Sequence, residues 1–291
     1  LYLLTVADIR GTSPKVWNAW KGKLLEDLFH STSAMLSGHA EAQGLAARRA
    51  EARARLALYG LTPDTPDPLW AQFDDRYFAR FETGDVAWQA RMLWRHVNTP
   101  TPVVRARLSP AGEGIQVLVY APERADLFLR SCGFFARIQY TIVEAKLYRA
   151  RHGYTLSSFQ VMDLASRGIH YRDFLHFVEY ELARDLDPTH PVAQVTRGRL
   201  SRQQRHHPYS PQVRLDLSGD HATLQVRCAD RGGLLFAIAG VLGRHGITLD
   251  SAKIDTLGAR VEDAFQIRGE ALASNECRKA LEADLLDVLK D

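Results

Sequence analysis

The alternation of apolar and polar positions is sharpest between Leu224 and Gly269. Leu224 to Ala229 alternates strictly and predicts a half-buried strand, which stops at the polar, glycine-bearing turn Asp230-Arg231-Gly232-Gly233. Leu234, Ala237, Ile238, Val241 and Leu242 then recur at helical spacing on one face, and Gly246 supplies a left-handed stop. The period returns to two beyond it. Ile247 and Leu249 open one strand, Val261, Phe265 and Ile267 share a face of the next, and Leu257-Gly258-Ala259-Arg260 turns between them. A helix over 274–289 follows.

The same pattern occurs earlier in the chain. Pro102-Val103-Val104-Arg105 lines up with Pro211-Gln212-Val213-Arg214, 109 residues on (211 − 102), and Phe159-Gln160 with Phe265-Gln266, 106 on (266 − 160). Ala145-Lys146 lines up with Ala252-Lys253 between them. So small a drift is a change of loop length. Each copy opens with a hairpin, 103–108 to 115–121 and 213–217 to 223–229, and ends in a helix, so each reads ββαββα. The copies differ at the turn: Pro122-Glu123-Arg124-Ala125-Asp126 stands in the first where the second has its glycines, and proline removes a backbone donor. The first copy is read as structural, or as a second and weaker site.

The second turn can hold an anion. Gly232 and Gly233 let backbone N–H groups approach a ligand with no Cβ in the way, and the helix from Leu234 presents its positive end. An α-carboxylate suits such a place, and Asp230 at the strand end can accept from an α-ammonium. Read without a ligand, the turn is a tight connection whose Asp230 caps the helix; the residues alone leave both readings open.

Strand, glycine turn and helix in this order resemble the ACT domain, a small ligand-binding module that senses amino acids. The fold expected is therefore α+β: a helical N-terminal segment followed by two ferredoxin-like ACT domains. The N-terminal string LTVADIRGTSPKVWNAWKGKLLEDLF resembles the last helices of the HD phosphohydrolase domain in the bifunctional uridylyltransferase/uridylyl-removing enzymes of bacterial nitrogen control, and DDRYFARF…VAWQARML resembles the segment that precedes their ACT pair. The resemblance implies an HD end and helical connector over 1–60, a helical segment over 61–100, ACT domains over 101–188 and 211–291, and a basic linker over 189–210. It also implies a function: L-glutamine as effector, PII signal protein as protein substrate, UTP as co-substrate, and Mg²⁺ or another divalent metal in the parent enzyme, with none tightly bound in this fragment. Asp8 matches the last metal ligand of the HD site, and Asp230, Arg231, Gly232, Gly233, Leu234, Ser251 and Lys253 become the expected effector-binding residues. A stand-alone amino-acid-binding adaptor is the alternative, against which the HD-like string speaks.

Both active centres of that family are incomplete in this sequence. None of the 11 histidines is followed by Asp, and no Gly-Ser pair precedes an Asp-x-Asp; Asp185-Leu186-Asp187 is punctuation at a helix end before Pro188. The chain starts at Leu1 inside a helix, without Met, and is expected to be a piece of a longer protein that binds and signals. Leu1 to Ala7 lacks a basic flank and is too short for a signal peptide or a membrane span. Cys132, Cys228 and Cys277 form no CxxC pair, so a reducing, cytoplasmic setting is expected, with Cys132 and His152 as packing and turn residues. The net charge of +3 is small. Arg48, Arg49, Arg53 and Arg55 on an Ala-rich helix, and the arginines of 197–205, lack interleaved aromatics, which argues against nucleic acid and for a solvated, charged helix face and a linker lying over an acidic surface.

Overall fold

The computed structural model describes residues 2–12, 22, 25–26, 28–29, 41–110, 114–163, 171–192, 194–195, 209–219, 221–229, 231–254, 256–257 and 260–290. It divides into two compact units, one formed by Leu1–Val97 with Arg107–Gln116 and the other by Asn98–Ala106 with Val117–Asp291.

The first unit is helical: α1 (Tyr2–Thr12), α2 (Glu41–Ala57), α3 (Asp67–Trp70), α4 (Asp75–Arg80) and α5 (Thr83–Leu93). Its boundaries follow from local chemistry. Pro68 sits in the first turn of α3, where its missing donor costs nothing, and the Asp74 carboxylate caps α4 by accepting from the Arg76 N–H at 3.0 Å. The aromatics between the prolines and α5 form the core, with Trp70, Phe73, Tyr77, Phe78 and Phe81 all buried. Trp70 meets Phe78 edge-on at 5.5 Å, and Tyr77 meets Phe78 edge-on at 4.9 Å. Inside this cluster the Tyr77 hydroxyl donates to Gln89 Oε1 at 2.6 Å, a fully buried hydrogen bond.

Most of the α2 arginines that the sequence left as a charged face are committed within this unit. Arg48 donates to the carbonyls of Phe78 and Ala79 at the end of α4. Arg49 pairs with Asp75 at 2.6 Å and lies over the Phe78 ring; Arg53 pairs with Asp67 and lies over the Trp70 ring. Their role here is to fasten α2 onto the aromatic core. On α1, Leu3 and Leu4 are 78% and 71% exposed.

Apart from Arg107–Gln116, the second unit carries the repeats. The first runs β1 (Val103–Leu108), β2 (Ile115–Pro122), α6 (Leu127–Arg137), β3 (Thr141–Arg149), β4 (Tyr154–Met162), α7 (Tyr171–Asp185). The second runs β5 (Gln212–Ser218), β6 (His221–Ala229), α8 (Leu234–Arg244), β7 (Thr248–Lys253), a two-residue β8 (Thr256–Leu257), β9 (Arg260–Arg268) and α9 (Asn275–Leu289). Both are ββαββα. The strands make one sheet in the order β1-β2-β4-β3-β7-β9-β6-β5, with β8 paired on β9. The repeats meet where β3 runs antiparallel to β7 in the register Glu144↔Lys253, Ala145↔Ala252, Lys146↔Ser251, and the Ile254 N–H donates to the Val143 carbonyl at 3.1 Å.

The helices lie on the sheet through aliphatic and aromatic faces. Phe134, Phe135 and Phe159 are buried in the first repeat, and Ile238, Val241 and Phe265 in the second. Across the junction α6 packs against α8, where a Cβ built on Gly240 would stand 3.8 Å from Leu129 Cδ1. Arg130, only 6% exposed, ties α6 to the end of α7: it pairs with Asp126 one turn back and donates to the carbonyls of Asp185 and His190, both at 2.9 Å. The Asp185 carbonyl is one that a helix end leaves without an intrahelical partner, so the guanidinium both caps α7 and neutralises its negative end.

Three outcomes follow. Tyr77→Phe strands the Gln89 acceptor and is expected to cost about 1–3 kcal/mol, measured by urea unfolding. Arg130→Met removes the bonds to Asp126 and to the Asp185 and His190 carbonyls, leaves Arg124 as the partner of Asp126, and is expected to cost about 1–3 kcal/mol. Burial alone would raise the pKa of Asp126, but the hydrogen bonds and charges of Arg130 and Arg124 outweigh it and hold the carboxyl below its usual range. The stabilisation is therefore present above the unfolded value, about 3.9, and is lost as pH falls through the lower folded value. In Asp126→Asn the acid limb of a midpoint-versus-pH curve should flatten in that window.

Candidate functional site

Where the repeats join, a cavity of about 300 Å³ opens between the turn that starts α8 and the corner that ends α6. The second repeat supplies Arg231 to Phe236, then Ile254, Val261 and Asp263; the first supplies Cys132, Phe135 and Ala136 from α6 and the stretch Gln139 to Ile142. Each wall is built by a local necessity. Gly233 has φ 79°, a left-handed conformation that a β-carbon disfavours, and its carbonyl accepts the first α8 bond, from Ala237 at 3.0 Å. A strand alternating Val261, Phe265 and Ile267 on its buried face brings Asp263 onto that same face, 3% exposed.

The opposite wall turns on an exception. α6 and α8 end in matching turns: the Tyr140 N–H donates to Phe135 O at 2.9 Å, as the Ile247 N–H donates to Leu242 O at 2.9 Å. In the second repeat the residue that must go left-handed is Gly246, at φ 63°. In the first it is Gln139, at φ 62°, the one non-glycine residue with positive φ among those described. A left-handed non-glycine residue costs about 1–2 kcal/mol.

The residues expected to hold an effector divide. Gly232, Gly233 and Leu234 line the cavity. Arg231 also lines it, but its guanidinium reaches away to the carbonyls of Val288 and Lys290 and caps the end of α9. Asp230 lies outside the described residues. Ser251 and Lys253 do not line the cavity. Ile254 lines the wall, and the strand's alternation turns Lys253, one position back, to the other side, where it is exposed opposite Glu144. Asp8 is exposed on α1, and among the described residues no group of three His, Cys, Asp or Glu side chains could hold a metal ion. Asp263 and Gln139 escaped notice in the sequence. Their signals were a charge interrupting an apolar period-two face, and a glutamine standing where the other repeat has its helix-ending glycine.

Two residues set aside as packing groups sit as follows. Cys132 is buried on the cavity wall, and burial pushes its thiol pKa well up, which makes it a poor nucleophile. His152 bonds the Tyr120 hydroxyl at 2.8 Å and stacks on Tyr154.

A second cavity, about 170 Å³, lies at the corresponding place on the other repeat, between the Glu123–Leu127 turn and the end of α8. Its charges answer one another: Arg149 pairs with Glu123 at 2.7 Å, Arg268 with the buried Asp250 at 2.5 Å, and Arg124 with Asp126 at 2.9 Å. The Glu123 N–H is itself spent on the Gly153 carbonyl at 2.8 Å. The two cavities are alike in position and unlike in chemistry.

Comparison with known proteins bears on the origin of this arrangement. Residues 40–92, which include α2 to α5 almost entirely, match the family described as "Uridylyltransferase GlnD fifth domain". A curated protein of Thiobacillus denitrificans named bifunctional uridylyltransferase/uridylyl-removing enzyme is 66% identical over 292 residues, which cover 99% of this chain and 34% of that protein. Proteins of the same name from Ralstonia nicotianae and Cupriavidus metallidurans are 48% and 49% identical, with the same coverage of each chain. The chain thus spans about a third of the length of the curated relatives it matches. Over nearly its whole length the chain is similar to part of the bifunctional uridylyltransferase/uridylyl-removing enzymes.

Proposed function

We propose that this chain is the glutamine-sensing regulatory region of an enzyme that attaches UMP from UTP to PII signal proteins and removes it again. The observation that carries the reading is the 300 Å³ cavity, in which a glycine turn and a helix N-terminus on one repeat face a polar corner of the other. The start of α8 offers N–H groups to an α-carboxylate, and Gly232 and Gly233 leave room for it to approach. Asp230 takes the ammonium. Because the walls come from both repeats, a ligand seated there stabilises the one arrangement of the repeats that closes around it. An arrangement bound tenfold more tightly is favoured by about 1.4 kcal/mol, enough to move two opposed activities in opposite directions.

The divalent metal and both chemical steps belong to the parent enzyme. Asp8 alone, exposed and outside any described cluster, does not make a metal site.

L-glutamine is expected to raise the melting temperature of the chain, with D-glutamine as the control. Asp230→Ala loses one charge-assisted contact of about 1.5–3 kcal/mol and should weaken binding by a factor on the order of ten to a hundred in calorimetry. Gly233→Val, which puts a β-branched side chain at φ 79°, should abolish it. Equal binding by the parent and both variants would put the site elsewhere. Incubated with PII protein and UTP, or with uridylylated PII protein, the purified chain is expected to turn over neither above background.

A further inference from the structure

The cavity holds a buried carboxylate, Asp263, and a conformationally costly glutamine, Gln139, one from each repeat. Asp263 breaks the apolar face of β9 where its neighbours on that face, Val261 and Phe265, are almost fully buried, and its side chain is on the cavity wall. Gln139 takes a left-handed turn that glycine takes freely in the other repeat, and it too lines the cavity. A strained residue kept where a cheaper one serves the backbone equally well points to what its side chain does.

We propose that Asp263 and Gln139 together read the side chain of the bound amino acid and select a carboxamide over a carboxylate. This rests on the reading of the cavity as an amino-acid site. With the α-carboxylate at the start of α8, the far end of the ligand lies toward β9 and the α6 corner. An amide NH₂ donates to the Asp263 carboxylate, and the amide oxygen accepts from the Gln139 side-chain NH₂, so both polar ends of a carboxamide are met. A ligand carboxylate of the same length meets the Asp263 carboxylate in a buried place. It is then rejected by like-charge repulsion with little water to screen it. The selection is made against glutamate as much as for glutamine.

The second cavity sharpens the assignment. There the buried carboxylate is Asp250, already bonded by Arg268, and the turn residue is Gly246, which has no side chain to offer. The pair that can read a carboxamide occurs in one cavity of the two.

The test is calorimetric titration of the 291-residue chain with L-glutamine and L-glutamate, with melting temperatures of the ligand-free proteins recorded alongside. The parent should prefer glutamine. Asp263→Asn removes the repelling charge and should lower the glutamate-to-glutamine ratio of dissociation constants at least tenfold, by tightening glutamate as well as by weakening glutamine. Gln139→Gly relieves the left-handed strain, so its melting temperature should stay or rise while glutamine affinity falls fivefold or more. A merely structural role predicts the opposite coupling, stability and affinity falling together. Because Gln139→Gly does not threaten the fold, it decides the matter even where Asp263→Asn fails to fold. If the parent binds glutamine and the variants keep its affinity and its ratio, the selection by these residues is overturned and the amino-acid site stands. If the parent binds neither amino acid, the site and the selection fall together.

Discussion

Three residue pairs between β3 and β7 decide what the rest of this sheet can be. Each ββαββα repeat by itself presents an edge strand, and an exposed edge with unpaired N–H and C=O groups invites pairing with whatever is near. Here each edge is the other's partner: Glu144, Ala145 and Lys146 lie opposite Lys253, Ala252 and Ser251. The sheet runs unbroken through both repeats, and α6 and α8 are brought side by side on it. The antiparallel sense of that pairing sets the βα turn of each repeat against the far end of the other's helix. Both cavities are consequences of it. The small central pair, Ala145 and Ala252, both buried, lets the strands meet beneath the helices without bulk.

The same geometry produces two cavities, and side-chain chemistry makes them unequal. In one, Arg124 and Ala125 stand where the other turn has its glycines, and the ion pairs Arg149–Glu123 and Arg268–Asp250 fill the polar demand from within. A ligand entering there would have to break satisfied charge pairs, one of them on the buried Asp250, and the penalty for stranding such a charge is several kcal/mol. In the other, the turn is Gly232-Gly233, and the one nearby arginine of the turn, Arg231, is drawn off to cap α9. Its polar wall groups, Asp263 and Gln139, stand at the boundary between the repeats. The two cavities of a duplicated fold thus differ in lining, one by internal charge pairs and the other by a glycine turn with Asp263 and Gln139.

How much of this could be read from the sequence follows from which forces are local. The strands, α6, α8 and the ββαββα order were legible because period two and period 3.6 are written residue by residue, and Gly246 and the Gly232-Gly233 turn mark positions that only backbone conformation explains. The pairing of β3 with β7 was not legible: Glu144 and Lys253 are more than a hundred residues apart, and nothing local ties them. Which side of β7 faces the helices is fixed by the same junction. The arginines of α2 were misjudged for a similar reason. A row of cations on an Ala-rich helix looks solvated until Phe78, Trp70, Asp67 and Asp75 are brought beneath it. Gln139 was invisible because a helix-ending glutamine is remarkable only once its φ is known.

The β3–β7 strand seam by itself is comparable in strength with the contacts of a small bound ligand. A net contribution of about 1 kcal/mol per backbone hydrogen bond makes the β3–β7 seam, with its three residue pairs, worth a few kcal/mol before the α6–α8 contact is counted. A free amino acid held by two or three charge-assisted bonds exchanges a comparable amount, at about 1.5–3 kcal/mol each. Those bonds would fall on both sides of the seam, on the α8 turn and β9 of one repeat and the α6 corner of the other. Within a rigid repeat the same bonds would add affinity alone. Across a seam of similar strength, they become a preference for one relative placement of the two repeats, which is the physical requirement for turning ligand concentration into a signal.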